Sequence, residues 1–152
     1  MTSIKFSPPN YLKNAHIQSI MNSVGPRKSR AKKITKTLES EKLIITTGTG
    51  VRLTAEFDKA STQTKIKKAP TLVILIHGWE GSSQSAYQVT TAHHLLKQGF
   101  DVLRLNMRDH GDSHHLNPEA FNSTLIAEVG DAIKVFSTDR SYPSIFLSLI
   151  HI

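Results

Sequence analysis

Thr71-Leu72-Val73-Ile74-Leu75-Ile76-His77-Gly78-Trp79-Glu80-Gly81-Ser82-Ser83 sets an uninterrupted apolar run directly before a glycine-bearing turn. Five large apolar residues in succession, Leu72 to Ile76, predict a strand buried on both faces, the habit of parallel sheets. The run stops in His-Gly-x-x-Gly-Ser-Ser. Gly78 and Gly81 let the chain turn sharply and let the backbone approach a ligand with no Cβ in the way. Such a loop either serves a site or is a tight strand-to-helix turn without chemistry, and the stretch alone leaves both readings open.

Downstream, Ser83 or Ser85 can cap a helix running to about Gln98, with Tyr87, Thr91, His94 and Leu95 on one face and Gly99 at the position that ends a helix. Phe100 to Leu105 is the next strand. It opens into Asn106-Met107-Arg108-Asp109-His110-Gly111-Asp112-Ser113-His114-His115, a loop in which Arg108 and Asp109 are expected to pair. Leu125, Ile126, Val129, Ala132, Ile133 and Phe136 recur at helical spacing, with Ser123 as a plausible cap. After Pro143, the run Ser144 to Ile150 opens as one more strand.

Upstream, Lys42 to Thr47 and Val51 to Phe57 flank Gly48-Thr49-Gly50. Val51, Leu53, Ala55 and Phe57 alternate with polar residues, so the two runs form a β-hairpin with one half-buried face. Residues 58–70, rich in Lys, Thr and Ser, are an exposed connection. Before the hairpin, Pro8 and Pro9 impose an extended entry. Asn10 or Asn14 caps a short helix containing Ala15, Ile17, Ile20 and Met21, with His16 on a partly buried turn. A hairpin followed by strand, helix, strand, helix, strand is the signature of an α/β fold with parallel βαβ units.

The chain has 152 residues, 38% of them hydrophobic, room for one ordinary domain. It contains no apolar run that would span a bilayer and no signal-peptide pattern, and it lacks cysteine, which removes disulfides, thiolate nucleophiles and cysteine metal sites. The expected location is cytoplasmic. The formal charge is +7, concentrated in Arg27-Lys28-Ser29-Arg30-Ala31-Lys32-Lys33 with Lys36, and in Lys65, Lys67 and Lys68. Both clusters read as solvated linkers without the interleaved aromatics of a nucleic-acid site, so no nucleic-acid partner is expected. His110, Asp112, His114 and His115 are candidate metal ligands by type. Their spacing matches no metal motif, so no metal and no cofactor are expected.

Three blocks taken together carry a resemblance: Phe6-x-Pro8-Pro9-x-x-Leu12-x-Asn14-x-His16-x-Gln18, Ile76-His77-Gly78-Trp79-Glu80-Gly81-Ser82-Ser83-x-Ser85-x-Tyr87, and Leu105-Asn106-Met107-Arg108-Asp109-His110-Gly111-Asp112. In this order they resemble the YheT-like branch of the α/β-hydrolase superfamily, from about residue 5 to residue 147. The resemblance implies a partial α/β-hydrolase fold and a serine hydrolase acting on carboxylic esters, of short to medium acyl chains or acylglycerols. It also implies that backbone N–H groups at Gly78 and Trp79 form half of an oxyanion hole, since the loop after the third strand contributes one donor in such enzymes. Residues 1–36 are then an N-terminal extension and basic linker, and residues 37–152 the N-terminal portion of the hydrolase domain.

The pattern then departs. No two glycines lie four apart, so Gly-x-Ser-x-Gly occurs nowhere. Ser148 has no glycine after it, and His151 lies on the same strand, too near to act as its base. The expectation is a truncated, frame-shifted or partial product, without a catalytic triad and inactive as it stands. The alternative is a non-catalytic α/β module that binds a ligand or a partner.

Overall fold

The computed structural model describes residues 7–60, 71–138 and 140–149. Lys65, Lys67, Lys68 and His151 lie outside these residues, as do Phe6 and most of the connection expected at 58–70; at its start Asp58 and Ala60 are buried rather than exposed, Asp58 because it pairs with Arg104. The elements are α1 (Ala15–Val24), α2 (Pro26–Thr35), β1 (Glu41–Thr46), β2 (Arg52–Asp58), β3 (Thr71–Ile76), α3 (Ala86–Lys97), β4 (Phe100–Leu105), α4 (Ile126–Thr138) and β5 (Ile145–Leu149), with a 3-10 turn at Asn10–Leu12. Among the described residues no helix is long and apolar enough to cross a membrane.

The five strands form one mixed sheet in the order β1-β2-β4-β3-β5. The hairpin forms as expected, Thr46 facing Arg52 and Glu41 facing Phe57. Its turn needs one left-handed residue, and Gly50 supplies it at φ 85°. β2 then runs antiparallel to β4, while β3 lies parallel to β4 on one side and to β5 on the other. The apolar run 72–76 is therefore central, and all five residues are buried.

Alternation along the strands divides the core in two. Leu53, Ala55, Phe57, Leu72, Ile74, Ile76, Leu103 and Leu105 point to the face covered by Ala132 and Phe136 of α4. Val73, Leu75 and Val102 point to the opposite face, against Val89, Ala92 and Leu96 of α3 and Ala31 of α2. Each large residue buried in this way is worth about 1.5–3 kcal/mol in transfer free energy. β5 has no such cover: Ile145, Phe146, Leu147 and Leu149 are exposed on an edge strand.

Four local expectations are corrected. The basic stretch expected as a linker is helix α2. Pro26 occupies the first helical position, where a missing N–H costs nothing. The Arg, Lys and Ala residues that follow are good helix formers, and Ala31 and Ile34 give the helix one side to set against α3. The buried side of α3 is Gln88, Val89, Ala92 and Leu96; of the face expected to carry Tyr87, Thr91, His94 and Leu95, Leu95 packs against this core and His94 is exposed. In α4, Ile126 is exposed, and Asn122 rather than Ser123 holds the preceding turn by accepting the Thr124 N–H at 2.9 Å. Asn14 caps α1, accepting the N–H groups of His16 (2.9 Å) and Ile17 (3.3 Å), and His16 is exposed rather than half-buried.

Candidate functional site

β3 delivers its last residues to the end of the sheet where β4 also stops, and the glycine loop begins there. His77 is wholly buried. The Met107 N–H donates to its Nε2 at 3.1 Å, which leaves the ring proton on Nδ1, donated to the Gly78 carbonyl at 2.9 Å. Burial pushes the His77 pKa below its ordinary 6.5; the Gly78 bond opposes this, and the neighbouring His110 adds to it. His77 is thus a neutral tie between the β3 and β4 loops. Its ring lies 4.7 Å from that of His110, which meets Phe121 edge-on at 4.7 Å; Phe121 in turn meets Trp79 at 6.3 Å. These rings connect the buried end of β3 to Trp79, which is 69% exposed.

The loop turns on a bond from the Gly81 N–H to the Gly78 carbonyl, 3.0 Å. Its left-handed residue is Glu80, at φ 52°, not either glycine. Gly81 is required for space: a Cβ there would stand 2.7 Å from the Tyr87 hydroxyl and 2.9 Å from the Gly78 carbonyl oxygen. Most of the loop's donors are already used. The Gly78 N–H donates to the Tyr87 hydroxyl at 2.9 Å, Ser82 N–H to Ser85 Oγ at 2.9 Å, and Ser83 N–H to Asn106 Oδ1 at 2.7 Å. Trp79 N–H has no acceptor among the described residues. Of the two backbone groups expected to act together, one is therefore engaged and one is open.

Under the loop lies a charged cluster that the alternating pattern of β2 gives no reason to expect. Arg104, fully buried, donates through Nη1 to the Ser83 carbonyl at 2.8 Å and through Nη2 to Ser40 Oγ at 2.8 Å. The same guanidinium pairs with Asp58 Oδ2 at 3.1 Å and Glu56 Oε2 at 2.7 Å. Ser40 donates to the other Asp58 oxygen at 2.5 Å, and Gln84 Nε2 donates to Glu56. Such planar, multi-partner recognition of carboxylates and a carbonyl is what a guanidinium does and an ammonium does not. Asn106 completes the support, donating to Thr54 Oγ1 at 2.9 Å and to Ser83 Oγ at 3.2 Å. The signal that could have revealed the cluster is the presence of acids at two same-face positions of β2 and a cation in β4.

The 106–115 loop is held otherwise than expected. Arg108 pairs not with Asp109 but with Glu128 in the first turn of α4, Nε to Oε2 at 3.0 Å, and with Glu119 at 3.1 Å; the Glu128 bond above all raises its pKa. Asp109, left-handed at φ 60°, pairs with His114 Nδ1 at 2.6 Å. Among the described residues no three His, Asp or Glu groups converge as metal ligands. Ser148 lies within β5 opposite Leu75. A cavity of about 430 Å³ flanks the loop on the hairpin side, lined by Ile44, Thr54, Ser82, Gln84, Asp112 and His115 among others.

The fold of this chain has counterparts among known proteins. A family model described as the α/β-hydrolase fold matches residues 71–140. An esterase of Pyrococcus furiosus superposes with a TM-score of 0.59 at 22% identity, over 79% of this chain and 41% of that one. A serine hydrolase without a lid from Xanthomonas campestris gives 0.61 at 20% identity, over 74% and 50%. The fold is that of the α/β-hydrolases. An α/β serine hydrolase homologue from Coxiella burnetii agrees at 0.59 and 18% identity, over 72% of this chain and 51% of that one. The chain spans about half the length of these α/β-hydrolase structures or less. No curated protein matches it in sequence.

Proposed function

We propose that the chain is the N-terminal part of a YheT-like serine hydrolase of carboxylic esters, and that Trp79 contributes one donor of its oxyanion hole. The observation that carries this reading is the open Trp79 N–H, on a turn whose other donors are largely satisfied and which Arg104 and Asn106 brace from below. A preorganised donor facing a site is worth far more to a developing oxyanion than one that must reorient. Gly78 takes the supporting role of a clamped residue, its N–H fixed by Tyr87. Residues 37–152 are then the first half of the hydrolase domain. The apolar, uncovered β5 supports this, since a strand exposed on both faces is one that further strands and helices would cover. Nucleophile, acid and histidine would come from the remainder.

The experiment has two arms. The 152-residue chain alone should hydrolyse p-nitrophenyl butyrate no faster than buffer. Turnover abolished by Ser148→Ala would overturn the reading. Reading the encoding DNA beyond codon 152 in all three frames should reach a Gly-x-Ser-x-Gly, and the product extended through it should be active. In that product Trp79→Pro, which deletes the N–H, should lower kcat about 10²–10³-fold, the usual effect of losing one oxyanion donor.

A further inference from the structure

The net positive charge of this protein comes from one end. Residues 1–38 carry eight Lys and Arg and no Asp or Glu, whereas residues 39–152 carry eleven against twelve, so the first quarter of the chain accounts for the whole positive balance. Most of these cations are on α2, where Arg27, Lys28, Arg30, Lys32 and Lys33 are all exposed. The helix before it is built differently. α1 carries no charged residue, and Ile17, Ile20 and Met21, spaced three and four apart and so on one face, are 44%, 58% and 41% exposed. Tyr11, on the turn that leads into α1, is 71% exposed. α1 packs against α2 and that turn, and its apolar side is left to solvent.

An uncovered apolar face is costly in water. Here it is joined to a strongly cationic helix, and the two together match one partner. We propose that α1 and α2 form a peripheral binding element for bilayers with anionic headgroups, α2 meeting the headgroup phosphates and carboxylates while Ile17, Ile20 and Met21 enter the boundary of the acyl region. A helix of α1's length lies along such a surface rather than crossing it, and neither contact suffices alone: weak apolar insertion becomes stable binding when several cations add to it. The cations also fit nucleic-acid phosphates, but that contact gives the exposed isoleucines and methionine no role. Base-stacking aromatics are absent from α1 and α2.

The test uses the full chain in vesicle co-sedimentation, with phosphatidylcholine alone and with an equal mixture of phosphatidylcholine and phosphatidylserine. The protein should bind the mixed vesicles at low salt, leave the neutral ones in solution, and be released by raising the salt. Arg30→Ala with Lys33→Ala should weaken binding about 25-fold, at roughly fivefold for each basic residue removed near a charged surface. Ile20→Asp should weaken it by about tenfold or more, through loss of a buried apolar side chain. Both changes are at exposed positions, so the far-UV circular dichroism should not change, and Lys134→Ala, on α4, should bind as the parent does. Equal binding to both vesicle types, or full binding by either variant, overturns the proposal. Failure to bind vesicles together with salt-sensitive binding to duplex DNA that Ile20→Asp leaves intact also overturns it, and assigns the cations to nucleic acid.

Discussion

Replacing Arg104 with Met removes a guanidinium that serves Asp58, Glu56, Ser40 and the Ser83 carbonyl at once, while roughly keeping the volume of the side chain's stem. The two carboxylates stay where they are, at 3% and 8% residue exposure, without their counter-ion. Breaking a buried pair by removing one partner costs about 3–5 kcal/mol. That is a large share of the roughly 5–15 kcal/mol by which ordinary domains are stable. Arg104→Lys separates charge from geometry. An ammonium can stay near the carboxylates but cannot also reach the Ser83 carbonyl, and one buried acceptor left unpaired costs about 1–3 kcal/mol. Urea unfolding at neutral pH, followed by far-UV circular dichroism, should therefore rank the parent above Arg104→Lys and Arg104→Lys above Arg104→Met. Amide exchange should show where the damage goes: protection should fall at Ser82 and Ser83 before it falls in β3. An Arg104→Met midpoint equal to the parent's would refute the assignment of this cluster as the brace of the glycine loop. So would a lysine variant as damaged as the methionine one, since charge would then count for nothing.

Two further perturbations act on the loop itself. Gly81→Ala places a methyl 2.9 Å from the Gly78 carbonyl and 2.7 Å from the Tyr87 hydroxyl; the hydroxyl can retreat only by giving up the Gly78 N–H, so the change should cost about 1–3 kcal/mol in urea unfolding, and an unchanged midpoint would show that the turn has more room than its geometry indicates. His77 has a folded-state pKa below its ordinary 6.5, so the unfolded chain binds the proton first; its contribution to stability is full above pH 6.5 and is lost as the pH falls toward the lowered value. The stability lost between pH 7.5 and about pH 5 should shrink in His77→Gln, and identical pH profiles for the two proteins would rule out this coupling.

What could be read in advance, and what could not, follows from how local each cause is. The run Leu72–Ile76 was legible because burial on both faces leaves no polar residue in it, and Gly99 because a helix that stops needs a left-handed residue, here at φ 88°. The hairpin was legible from its alternation, but the burial of its second strand was not. Alternation assigns Glu56 and Asp58 to solvent; the sheet puts β2 between β1 and β4, and the register sets Glu56 opposite Arg104, 48 residues away in sequence. No single-strand pattern contains that pairing. The glycine loop divides in the same way. That the chain must turn after Ile76 is local and was legible, with α/β-hydrolase expectations attached by the flanking blocks. Which residue turns it was not legible, because Glu80 adopts its φ of 52° within a turn fixed by the Gly78 and Gly81 backbones, with Tyr87 filling the space a Cβ at 81 would need. Gly78 and Trp79 looked equivalent as donors for the same reason. The hydroxyl that tells them apart sits on the next helix, and it takes the Gly78 N–H while leaving that of Trp79 open.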